Sequence, residues 1–179
     1  MKYYAVIDTN VLVSFFLTRN TGSPIVKVIE AIKSNTIVPM YNETILSEYT
    51  EVLQRERFGI ASDKLDEMIS LIKTKGINTH SQPVTALFPD PDDIVFYEVA
   101  MSRDDSYLVT GNLRHFPRNG RVVTPAEMMF VIEHEGRNPQ FLSDSESGYY
   151  LSIPLEEINA IIREVRIMTS DRMEQYFRL

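Results

Sequence analysis

The chain has 179 residues, 44% apolar and 24% charged, with a net charge of −7 and no cysteine; this length predicts one domain able to bury its own core, with room for a short appendage. The lack of Cys excludes a disulfide framework, zinc fingers, thiol catalysis and iron–sulfur ligation, and the acidic balance argues against a sequence-indifferent nucleic-acid coat. No apolar run approaches the roughly 18 residues of a membrane helix, and Asp8 interrupts the N-terminus before a signal peptide could form, so the expected compartment is the cytoplasm, without a membrane partner.

Lys2 to Ile7 is a short, nearly continuous apolar run, the pattern of a strand buried on both faces in a parallel sheet. It ends in Asp8-Thr9-Asn10, and an apolar stretch from Val11 to Leu17 follows. Ser23-Pro24 reads as a helix start, with Ser23 the cap, and Val26, Ile29 and Ile32 mark that helix's face. Thr36 to Met40 is a second strand, which Pro39 should shorten or end. Asn42 can cap a helix whose stripe is Ile45, Leu46, Tyr49, Val52 and Leu53. Lys64 to Lys75 forms another amphipathic helix, stopped by Gly76, and residues 77–89 read as loop or weak strand. Asp90-Pro91-Asp92-Asp93 opens a helix carrying Phe96, Tyr97, Val99 and Ala100. Tyr107 to Thr110 and Arg121 to Thr124 are two more buried strands, and Thr124-Pro125 starts a helix through Ile132.

Strand and helix alternate to about residue 134, which predicts βα units around a parallel sheet with right-handed crossovers. The fold class expected is a three-layer α/β/α domain over 1–134. Residues 135–152 are polar and read as a linker, and 153–179 as a small helical C-terminal extension striped by Leu155, Ile158, Ile162 and Val165.

In an open parallel sheet, ligands bind outside the carboxyl ends of the strands. Asp8 ends the first strand there, and Gly111 and Asn112 end a later one. Asp92 and Asp93 lie in the first turn of a helix, where the dipole favours negative charge. At 100° per residue Glu48 falls on the flank of the 45/46/49/52/53 stripe, so it can join the same rim, while Glu51 points to solvent. Crowded acids repel and raise one another's pKa, and a bound divalent cation removes that cost. All-oxygen ligation suits Mg²⁺ or Mn²⁺, ions that activate water and clamp a phosphate. The residues therefore point to a metal-dependent phosphodiester hydrolase.

The segments AVIDTNVLVS at 5–14, LSEYTEVL at 46–53, DPDDIVFYEVA at 90–100 and YLVTGNLRHFP at 107–117 together resemble the PIN-domain family of metal-dependent ribonucleases. That family includes the toxin components of many toxin–antitoxin pairs. The resemblance implies that Asp8, Glu48 and Asp93 are the catalytic, metal-binding carboxylates. It implies that Asn10 holds the first Asp, and that Asp90 and Asp92 act as a cap or outer ligand. It also implies an RNA substrate, Mg²⁺ or Mn²⁺ as cofactor, and an antitoxin partner. The sequence departs from the commonest pattern at Asn112, where many relatives carry a fourth acid, so a second metal should bind weakly or only with substrate; Thr110 and Asn112 can still position water or metal.

Arg114, His115, Arg118 and Arg121 form a basic cluster beside Asn112. Arg114 and Arg118 are the candidate phosphate contacts, against the plainer reading of a solvated loop. A single His after a turn is more often structural than a general base, and His115 is read so. The Phe15/Phe16 pair and the C-terminal stripe read as packing, within the chain or in a homodimer or higher homo-oligomer. Two other readings stand beside the ribonuclease. One is a catalytically weak or inactive PIN-like module that binds RNA or a protein. The other is an aspartyl-phosphate enzyme with Asp8 as nucleophile, which ranks last because Asn10 stands where that chemistry usually has a second acid.

Overall fold

The computed structural model describes residues 1–85, 88–117 and 119–136. Among these lie five strands and six α-helices, in the order β1 (Tyr3–Ile7), α1 (Thr9–Leu17), α2 (Pro24–Lys33), β2 (Ile37–Tyr41), α3 (Glu43–Leu53), α4 (Ser62–Lys75), β3 (Ile77–Asn78), α5 (Ile94–Ala100), β4 (Ser106–Val109), β5 (Val122–Val123) and α6 (Pro125–Glu133). The strands form one parallel sheet in the order β3-β2-β1-β4-β5. With helices over it, the architecture is the expected three-layer α/β/α fold. The linker and helical extension expected beyond residue 136 lie outside the described residues, as does Arg118.

Local chemistry sets most helix starts. Ser23, Asn42 and Thr124 accept from the backbone N–H groups of Val26, Ile45 and Glu127, and Glu127 returns the bond to Thr124, completing a capping box. Each such cap is worth about 1 kcal/mol. α6 closes through Glu135 and Gly136 at φ of 55° and 88°, left-handed geometry in which Gly136 N donates to Val131 O at 2.8 Å.

Pro39 departs from expectation. It neither shortens nor ends β2, but sits mid-strand in register with Ala5 of β1. The other neighbour, β3, is two residues long and begins opposite Met40, one residue beyond the proline, so that ladder does not run past Pro39. Gly76 makes this approach possible: a Cβ there would lie 2.5 Å from the carbonyl oxygens of both Ile72 and Pro39. The face of α2 is also shifted, since Ile25, Val28, Ile29 and Ile32 are buried whereas Val26 is only half-buried. The helix expected from Asp90 is a 3₁₀ turn, Pro91–Asp93, running into a short α5.

α5 packs on β1 and β4, α3 packs on α1, α4 and α5, and α2 packs on β2 and α6. Tyr49 of α3 and Phe96 of α5 are fully buried between these layers, with ring centroids 6.1 Å apart. The Tyr49 hydroxyl donates to the carbonyl of Ile7, the last residue of β1. Burial, with Asp8 and Glu48 nearby, keeps that phenol protonated, its pKa well above the usual value. This contact fixes the middle of α3 against the carboxyl end of β1. No helix among the described residues is long and apolar enough to cross a membrane.

Candidate active site

The strand order reverses direction between β1 and β4, and a crevice at such a switch point is where open α/β sheets bind ligands. Asp8 leaves β1 at that point. It is 6% exposed and serves as N-cap of α1, its Oδ1 accepting from Asn10 N at 3.2 Å. Its Oδ2 accepts from Asn10 Nδ2 at 2.7 Å and from Thr110 Oγ1 at 2.6 Å. Thr110 follows β4 and is fully buried. Its hydroxyl oxygen accepts in turn from Asn112 N at 2.9 Å and Asn10 Nδ2 at 3.3 Å, while Asn10 Oδ1 accepts from Gly111 N at 2.9 Å. Asn10 and Thr110 thus tie the ends of β1 and β4 together around one buried carboxylate.

Glu48 enters from α3. The turn position of Tyr49 carries it to the crevice, where its Oε1 accepts from Thr9 Oγ1 at 2.7 Å. Thr9 is 5% exposed, so this bond forms in a largely dry place. Desolvation raises the Glu48 pKa from 4.5 to about 8; the Thr9 hydroxyl pulls it down, and Asp8, Asp93 and Asp92 push it up. Four carboxylates from three separate segments therefore feel one another at this rim. Glu51 is solvent-exposed beside Arg55, as its angle predicts.

Asp93 ends the 3₁₀ turn that precedes α5, and its Oδ2 lies 2.9 Å from His115 Nδ1. Asp90 caps that turn by accepting from Asp92 N at 3.0 Å, and Asp92 itself is exposed. Asn112 is half-buried and enters the network through its backbone N–H. Arg114 is exposed in the turn after Asn112. Arg121 does not join a basic cluster here: its guanidinium donates to the Arg103 carbonyl, which precedes β4 at the amino end of the sheet.

Two contributors are beyond what the sequence assigns to the site: Thr9, and the contact of His115, read from sequence as structural, with Asp93. Thr9 carried a signal, a hydroxyl between two polar site residues. His115 had none that spacing could show, because its partner lies 22 positions away.

A family model for the PIN domain matches residues 4–114, well over half of the chain. The chain belongs to the PIN-domain family. The match spans Asp8, Glu48, Asp93 and the β4 end, so the crevice is that of a PIN domain. PIN domains are generally nucleases and typically use divalent metals. No curated protein matches the chain at a significant level.

The donor set of this PIN crevice suits a hard divalent cation in its chemistry, being carboxylates with hydroxyl and amide oxygens around them. The raised pKa of Glu48 has the same sense, because a cation would relieve both the repulsion and the desolvation that keep it protonated. Among the described residues, however, no three Asp, Glu or His side chains already stand as a cage that could hold an ion. Each carboxylate is instead engaged from the side: Asp8 by Asn10 and Thr110, Glu48 by Thr9, and Asp93 by His115.

Proposed function

We propose that this PIN domain is a Mg²⁺- or Mn²⁺-dependent endoribonuclease, with Asp8, Glu48 and Asp93 as its catalytic carboxylates. The observation that carries the proposal is the placement of Glu48, bonded to buried Thr9, at the switch crevice beside Asp8, Asp92 and Asp93, where burial and those neighbours raise its pKa. A rim of this kind is costly without a cation and favourable with one. A bound divalent ion supplies Lewis acidity, which lowers the pKa of water and neutralises phosphate charge.

The chain's own residues supply the rest. Asn10 and Thr110 hold the Asp8 carboxyl group fixed, because both donate to Oδ2. Thr9 orients Glu48, which is protonated at neutral pH without a cation and gives up that proton when one binds. Exposed Arg114 is placed beside the crevice to contact the phosphates of a single RNA strand. Arg118 is proposed for the same role from the sequence. Asn112 would offer a neutral oxygen in place of a fourth acid, so a second metal would bind weakly or only with substrate.

The setting proposed for this activity is a toxin restrained by an antitoxin, acting in the cytoplasm as a homodimer or higher homo-oligomer. A second reading, a catalytically weak module that binds RNA or protein, is favoured by Asn112 and by the acidic net charge of −7. Cleavage of defined RNAs in Mn²⁺ or EDTA, with Asp93→Asn as control, decides between them. The ribonuclease cleaves in Mn²⁺, is silent in EDTA and loses cleavage in the variant; cleavage by Asp93→Asn equal to the parent would remove Asp93 from the site. Calorimetry with Mn²⁺ shows no binding heat if the module reading holds.

A further inference from the structure

The short segment that follows β4 touches two of the crevice carboxylates. At its start, the Thr110 hydroxyl donates to Asp8 Oδ2 at 2.6 Å. At its far end, His115 Nδ1 lies 2.9 Å from Asp93 Oδ2, with the two side chains only 17% and 13% exposed. With Asp93 in the ordinary ionised form of a carboxylate, which accepts and cannot donate, the hydrogen of this bond is on Nδ1 of the imidazole. His115 is itself held in place. Its backbone N–H donates to the Asn112 carbonyl at 3.2 Å, and the next residue, Phe116, is buried edge-on against Phe88.

We infer that His115 is a positioning residue: its Nδ1 bond fixes the orientation of the Asp93 carboxylate at the crevice where Thr110 fixes Asp8, so that Asp93 is held ready to ligate a cation. The inference rests on the metal-dependent reading proposed above. It assigns His115 no proton transfer and no contact with substrate. The reason for such a device is visible at Asp93, which begins a short helix at a partly exposed edge and has no β-strand to fix it as Asp8 does. Hydrogen bonds to ligating carboxylates orient them, and losing one typically costs about 10–100-fold in metal affinity.

The test is Mn²⁺ calorimetry on the full chain for the parent, Asp93→Asn, His115→Ala and His115→Asn, with melting curves in EDTA beside it. Asn places an amide N–H near the position of Nδ1, so it keeps the bond that Ala deletes. The expected result is a 10–100-fold weaker Mn²⁺ affinity in His115→Ala, largely restored in His115→Asn, with melting temperatures that do not follow this order. In the cleavage assay kcat falls in His115→Ala while KM for RNA holds. Parent-like Mn²⁺ affinity in His115→Ala, or no recovery in His115→Asn, overturns the role of His115. A parent that takes up no Mn²⁺ overturns the metal-dependent reading itself, and the positioning role falls with it.

Discussion

Glu48→Gln should abolish the pH dependence of stability that this side chain imposes on the metal-free protein. The folded-state pKa is about 8 against an ordinary 4.5. The folded state therefore holds the Glu48 proton more tightly than the unfolded chain does. Its contribution to stability is fully present below pH 4.5 and is lost as pH rises towards 8, where the buried group must ionise. At about 1.4 kcal/mol for each tenfold change in proton affinity, the loss is about 3 kcal/mol at pH 7 and nearly 5 kcal/mol above pH 8. Glutamine keeps a carbonyl oxygen to accept from Thr9 Oγ1 and never ionises, so it escapes this loss. The assay is urea unfolding of parent and Glu48→Gln in EDTA across pH 5 to 8.5. The difference in unfolding free energy, variant minus parent, should climb by roughly 4 kcal/mol over that range, whatever its starting value. Mn²⁺ in place of EDTA should flatten the parent's decline. A difference that stays level within about 1 kcal/mol from pH 5 to 8.5 would refute the reasoning, because the carboxyl would then be ionising at its ordinary pH.

Thr110→Val removes the donor to Asp8 Oδ2 at a fully buried position and should cost about 1–3 kcal/mol in urea unfolding, with loss of RNA cleavage. A stability within experimental error of the parent would mean that Asp8 is solvated there. Gly76→Ala forces a methyl to within 2.5 Å of two carbonyl oxygens, which must separate α4 from β2; the expected cost is above about 2 kcal/mol, and hydrogen exchange should quicken in β3. An unchanged melting temperature would count against this close approach.

Much of this domain is written in its local chemistry. The alternation of buried apolar runs and amphipathic helices gave the α/β class, because a parallel sheet covered on both faces needs strands without a polar side. Ser23, Asn42 and Thr124 marked helix starts correctly, since a capping bond reaches only two or three residues along the chain. The angular position of Glu48 beside Tyr49 was likewise sufficient to turn it inward and leave Glu51 in water. Spacing cannot determine what depends on which strands become neighbours. The order β3-β2-β1-β4-β5 is a long-range choice, and it alone brings Thr110 onto Asp8 across 102 positions and Thr9 onto Glu48 across 39. Pro39 was misread for the same reason: proline ends a strand only where a neighbouring ladder needs its N–H, and the brevity of β3 is a tertiary fact. The residue types and their sequence fixed the carboxylates in number and kind; packing placed them at one rim, dried Glu48, and set His115 against Asp93, because burial and distance exist only once the layers close.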